Sequence, residues 1–106
     1  MDARTAFDER DQLFLLDIRE MFEWDAGRIE GSVHIPMMTL SARREELPVD
    51  RPILVICRSG NRSAHMTSML KLSGLDAHNL EGGVKAWVAA GLEAFTTPDG
   101  RPGRIA

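Results

Sequence analysis

The only cysteine of the chain, Cys57, closes the apolar run Ile53-Leu54-Val55-Ile56 and opens the segment Cys57-Arg58-Ser59-Gly60-Asn61-Arg62-Ser63. Gly60 and Asn61 are the residue types that best tolerate positive φ, so the segment can curl and aim successive backbone N–H groups inward. A helical pattern begins at about Ser63, adding unpaired N–H donors and the positive end of a helix dipole. Arg58 and Arg62 flank the turn. A thiol at the centre of such a ring loses its proton more readily and becomes a nucleophile facing an anion-attracting pocket. A buried, inert thiol is the commoner state of a lone cysteine, but it has no need of two arginines and a nest-like loop. One cysteine also forbids an internal disulfide or a multi-cysteine metal site.

The elements that must carry this loop alternate between strands and helices. Helices are expected over Asp2–Arg10 (Ala3, Ala6 and Phe7 on one face), Glu20–Ala26, Ser41–Leu47, Ser63–Ser73 and Val84–Ala90. Met21, Trp24 and Phe22 are expected inside the second of these. Met66, Met69, Leu70 and Ser73 are expected to form the inner stripe of the fourth, and Val84, Trp87 and Val88 that of the last. Strands are expected at Leu13–Leu16, Ser32–Pro36, Ile53–Ile56 and Ala77–Leu80. This alternation predicts an α/β fold of three layers, α/β/α, around a small parallel sheet. In such a sheet ligands bind beyond the carboxyl ends of the strands. Three scattered segments then meet at one edge: Asp17-Ile18-Arg19, the Cys57 loop and Glu81-Gly82-Gly83. Asp17 and Arg19 read as support for the loop, with Asp17 a candidate partner for Arg62 beneath it. Gly82-Gly83 reads as a tight turn into the last helix, since no phosphate-loop pattern surrounds it.

The 106 residues carry a net charge of −3 and suffice for one domain, expected over 1–95, with a Pro/Gly-rich tail at 96–106. Nucleic acid is not expected as a partner. Residues 1–53 hold 7 basic and 12 acidic side chains, and 54–106 hold 6 and 4; no carboxylate falls between Asp50 and Asp76, the window that contains Cys57. No apolar run is long enough to span a membrane, and the charged N-terminus lacks a signal-peptide core, so a cytoplasmic location is expected. His34, His65 and His78 show no ligand spacing, and no metal is expected. His65 reads as a solvated helix residue, the methionines as packing, and Trp24 and Trp87 as core anchors.

From about Leu13 to Leu92 the sequence resembles the single-domain rhodaneses, a family of sulfurtransferases. The resemblance rests on Leu16-Asp17-Ile18-Arg19-Glu20, on Gly27-Arg28-Ile29-Glu30-Gly31-Ser32-Val33-His34-Ile35-Pro36, on the Cys57–Ser63 loop and on Leu80-Glu81-Gly82-Gly83-Val84-Lys85-Ala86-Trp87, in that order. It implies that Cys57 carries sulfane sulfur as a persulfide. It also implies that Arg58, Ser59, Gly60, Asn61 and Arg62 hold an anionic donor such as thiosulfate. A nucleophilic acceptor, cyanide or a thiol, would then take the sulfur without metal or organic cofactor. Arg28 stands where a histidine is common in the family, at a position that reads as structural. The chain starts almost at its first helix, which leaves two expectations: the sheet lacks an N-terminal edge strand, or the tail fills that edge. Two rival readings use the same loop. One is a phosphatase or arsenate reductase of the related cell-cycle phosphatase type; the other is a non-catalytic binding module. Four residues separate Cys57 from Arg62, one fewer than in those phosphatases, and Ile56 stands where tyrosine phosphatases place a histidine.

Overall fold

The computed structural model describes residues 1–106. Helix α1 (Ala3–Glu9) is capped by the Asp2 carboxylate on Thr5 N–H, and a 3₁₀ turn at Arg10–Gln12 leads into β1 (Phe14–Asp17). Helix α2 (Met21–Ala26), the short strands β2 (Arg28–Ile29) and β3 (Val33–His34), and 3₁₀ turns over 37–46 follow. The charged segment expected as a helix is thus wound more tightly, in two 3₁₀ pieces with a kink at Arg43. Then come β4 (Ile53–Ile56), α3 (Asn61–Leu72), β5 (Ala77–Asn79), α4 (Gly83–Ala89) and β6 (Phe95–Thr96).

Four strands form a parallel sheet in the order β3-β1-β4-β5, in which Leu15 faces Leu54 and Leu16 faces Val55. Alternation along the strands sorts the core into two layers. Leu13, Leu15, Leu54 and Ile56 pack with α1 and α4 residues such as Ala6, Val84 and Trp87, while Leu16, Ile18, Ile53, Val55 and Cys57 pack with Leu40, Leu47 and Leu70. Cys57 therefore continues the β4 alternation onto the α3 side of the sheet. Trp87 is fully buried against the edge of Phe7.

Three inner faces differ from expectation. Met21 and Phe22 are exposed, and Glu23 is the buried residue of α2. In α3 the buried positions are Ser63, Thr67 and Leu70, whereas Met69 and Ser73 are exposed. Small polar residues let this helix approach the sheet closely, and the Thr67 hydroxyl is satisfied by the Ser63 carbonyl at 2.7 Å. Val88 turns outward, leaving Val84 and Trp87 to hold α4. The tail does not fill the sheet edge. It forms a separate antiparallel ribbon, β2 with β6, and Met1 lies beside β5, its N–H group on Asn79 O and its carbonyl on Glu81 N–H.

Candidate active site

The loop after β4 is held in shape from outside. The carbonyls of Cys57 and Arg58 turn away from the thiol and accept N–H bonds from Val84 (2.9 Å) and Lys85 (3.1 Å) in the first turn of α4. That contact requires glycine: Gly83 has φ +62°, and a Cβ there would lie 2.5 Å from Cys57 O and from both C and O of Arg58. Gly60, at φ +97°, makes the turn itself. With its carbonyls facing out, the loop points its N–H groups inward. Cys57 Sγ receives Gly60 N–H at 3.1 Å and Ser63 N–H at 3.4 Å, and lies 3.1 Å from Ser63 Oγ.

The residue is only 1% exposed. Burial pushes the thiol up, but bonds from the Ser63 hydroxyl and from the N–H groups of Ser63, Gly60 and Ser59 outweigh it. The net displacement is downward from the ordinary value of 9.0. Ser63 Oγ also donates to Asn79 Oδ1 at the end of β5, and Asn79 Nδ2 donates to Gly60 O at 3.3 Å. The serine carries one hydroxyl proton. It can go to Asn79 Oδ1 or to Cys57 Sγ, not to both at once.

Arg62 does not pair with Asp17. Its two Nη groups meet the two carboxylate oxygens of Glu23, both at 3.0 Å, and the Glu23 side chain also accepts Glu20 N–H in a capping box. Burial raises the Glu23 carboxyl, yet the Arg62 and Glu20 hydrogen bonds and the charges of Arg62 and Arg19 carry it below its ordinary value. Asp17 is claimed instead by Arg19, two residues away on the same strand end. Arg19 Nε and Nη2 bind its carboxylate at 2.8–3.0 Å, and Nη2 also donates to Gly27 O at 2.7 Å. Both are fully buried, with Arg19 Nη1 left without a hydrogen-bond partner, and the pair braces the junction of β1 and α2.

Arg58 and Ser59 are exposed on the loop's rim, with Arg58 Nε on the main-chain oxygen of Ala106 at 3.1 Å. Helix α3 begins two residues earlier than expected and so takes in Asn61, exposed at its first position, and Arg62. Trp24 is half-buried in a stack, not a core anchor: His34 lies parallel to it at 4.7 Å and the Arg28 guanidinium sits 4.0 Å from its ring centroid. His65 is exposed. Three functional positions escaped the sequence reading: Ser63 as a sulfur ligand, Asn79 behind it, and Glu23. Only Glu23 left a signal, the Glu20-x-x-Glu23 spacing.

A family model described as "Rhodanese-like domain" matches residues 2–90. The chain is 39% identical over 77 residues to the "Putative sulfurtransferase YtwF" of Bacillus subtilis, covering 73% of this chain and 75% of that protein. It is 34% identical over 93 residues to a "Sulfurtransferase" of Allochromatium vinosum, covering 87% and 86%. Among solved structures, a rhodanese-related protein from Thermoplasma volcanium superimposes with a TM-score of 0.85 at 33% identity, over 88% of this chain and 93% of that one.

Proposed function

Because the chain belongs to the rhodanese-like domain family, we propose that it is a sulfurtransferase working through a persulfide on Cys57, with thiosulfate or a similar anion as donor. Relatives named as sulfurtransferases support sulfur transfer broadly. The observation that carries the finer reading is the ring of donors on one sulfur: two backbone N–H groups and a hydroxyl around Cys57 Sγ. These hold the negative charge on Sγ of the thiolate that attacks, and of the thiolate that leaves again when the acceptor takes the sulfur.

In the first step the Cys57 thiolate attacks the outer sulfur of thiosulfate. A new S–S bond forms, the old one breaks, and sulfite departs with its electron pair. In the second step an acceptor nucleophile attacks the terminal sulfur and Cys57 leaves as thiolate. No second cysteine exists in the chain, so the acceptor is external: cyanide in an assay, a small thiol or a thiol protein otherwise. Sulfite leaves without a proton, and neither Glu23 nor Asp17 is free to supply one. Glu23 is held as a carboxylate by Arg62, and Asp17 is engaged by Arg19. The alkoxide of a phosphate ester needs a general acid, and the four residues between Cys57 and Arg62 make a ring one residue shorter than in the related phosphatases.

The test compares thiosulfate plus cyanide with an aryl phosphate, using the wild type and Cys57→Ser. Thiocyanate formation by the wild type alone, without phosphate release, is expected. Aryl phosphate turnover with no thiocyanate reverses the assignment.

A further inference from the structure

The tail reaches the active-site loop. Gly103 N–H bonds Phe95 O and Arg104 N–H bonds Ala26 O, each at 3.0 Å, which threads the segment Pro102–Ala106 between the end of α2 and β6. The seating is close. A Cβ on Gly103 would lie 2.8 Å from Gly27 Cα, and one on Gly27 would lie 2.8 Å from Arg104 N. Ile105 then packs on the Trp87 layer of the core, and the main-chain oxygen of Ala106 accepts a hydrogen bond from Arg58 Nε at 3.1 Å.

The choice of nitrogen matters. An arginine offers five N–H donors in a planar fork, and the edge formed by its two Nη groups matches two oxygens of one anion. Here Nε is taken by the tail, while neither Nη group has a protein partner. Arg58 is exposed, so without the tail its long side chain would sample many rotamers and lose that freedom on binding an anion. Its own carbonyl is already fixed by Lys85 N–H. The side chain is thus held at both ends with its bidentate edge free.

We infer that the segment Pro102–Ala106 is a positioning element of the active site, holding Arg58 by Nε so that its Nη edge receives two oxygens of the donor's oxyanion head. The choice of a sulfonate-type donor rests on the sulfur-transfer reading; the positioning of an oxyanion does not.

The probe is inorganic sulfate, titrated against backbone amide signals of Ser59 and Gly60 by NMR. Four proteins are compared: the full chain, the chain without residues 105–106, Arg58→Ala, and the two changes combined. Deletion is expected to weaken sulfate about three- to tenfold, the scale of one charge-assisted contact at an exposed site, and to add nothing to Arg58→Ala. Gly103→Ala, which keeps every tail residue but cannot seat against Gly27, should reproduce the loss. In the full chain the Arg58 Nε–H signal should exchange slowly with water.

Unchanged or tighter sulfate binding after deletion overturns the inference. So does a further loss on top of Arg58→Ala, or an Arg58 Nε–H signal that exchanges like a free guanidinium. Loss of sulfate binding as expected, with no persulfide formed from thiosulfate, sinks the sulfur-transfer reading alone. Persulfide formation with tail-independent sulfate binding sinks the positioning role alone.

Discussion

Replacing Glu23 by alanine tests how the loop's second arginine is held. Its side chain is 5% exposed and that of Arg62 33%, and the pair shares two hydrogen bonds of 3.0 Å. Breaking a fully buried pair costs about 3–5 kcal/mol, because a charge is left stranded. Arg62 can recover part of its hydration through its exposed third, which lowers that figure. Loss of the bond to Glu20 N–H adds about 1 kcal/mol at the start of α2. The expected total is about 2–4 kcal/mol, or roughly 10–20 °C in Tm for a domain of this size.

The pH dependence gives a second, sharper reading. The folded Glu23 carboxyl lies below its ordinary value of 4.5, so its contribution is complete above that pH and fades as pH falls through the folded value. Urea unfolding of wild type and Glu23→Ala should therefore differ most at neutral pH and converge in acid. A loss below about 1 kcal/mol at pH 7, or a gap that stays constant down to strongly acid pH, refutes the reasoning.

Ser63→Ala removes one donor from Cys57 Sγ and should raise the thiol pKa, read by ultraviolet absorbance of the thiolate; an unchanged titration would show that the backbone N–H groups suffice. In the wild type, the displacement of the thiol below 9.0 should place the midpoint of the donor-half-reaction's pH profile below that figure, and a midpoint at or above 9.0 contradicts it. Gly83→Ala drives a Cβ to 2.5 Å from the loop backbone and should cost about 2–3 kcal/mol together with most activity; a stable, active variant would mean the loop is not seated on α4. Arg58→Ala and Arg62→Ala should each lower kcat/KM for thiosulfate by about one to two orders of magnitude, and only Arg62→Ala should also lower the unfolding midpoint.

What the sequence disclosed was whatever a few adjacent residues decide. Ile53–Ile56 is β-branched and apolar enough to be a buried strand on its own, and Gly60 and Asn61 imply an N–H-lined turn without any tertiary knowledge, although only Gly60 takes a positive φ. Partner choice was not local. Asp17 and Glu23 were both candidates for Arg62 in the sequence, and in the fold Asp17 pairs with Arg19, two residues on, while Glu23 meets Arg62. Asn79 carries no signal of its own, because its role follows from β5 pairing with β4. Met66 and Leu70 pack on the core as expected, but hydrophobicity also favours Met69, which is exposed, whereas close approach to the sheet favours Ser63 and Thr67. The tail reads as loose in Pro and Gly content, yet Gly103 fits against Gly27 where no side chain could.

The most direct measurement is the intact mass of the folded, fully reduced chain before and after thiosulfate, followed by cyanide. The account predicts a gain of one sulfur atom, located at Cys57 by fragmentation, and its complete removal by cyanide as thiocyanate. A folded protein that gains no mass across a range of thiosulfate concentrations, or one whose added sulfur resists cyanide, contradicts it.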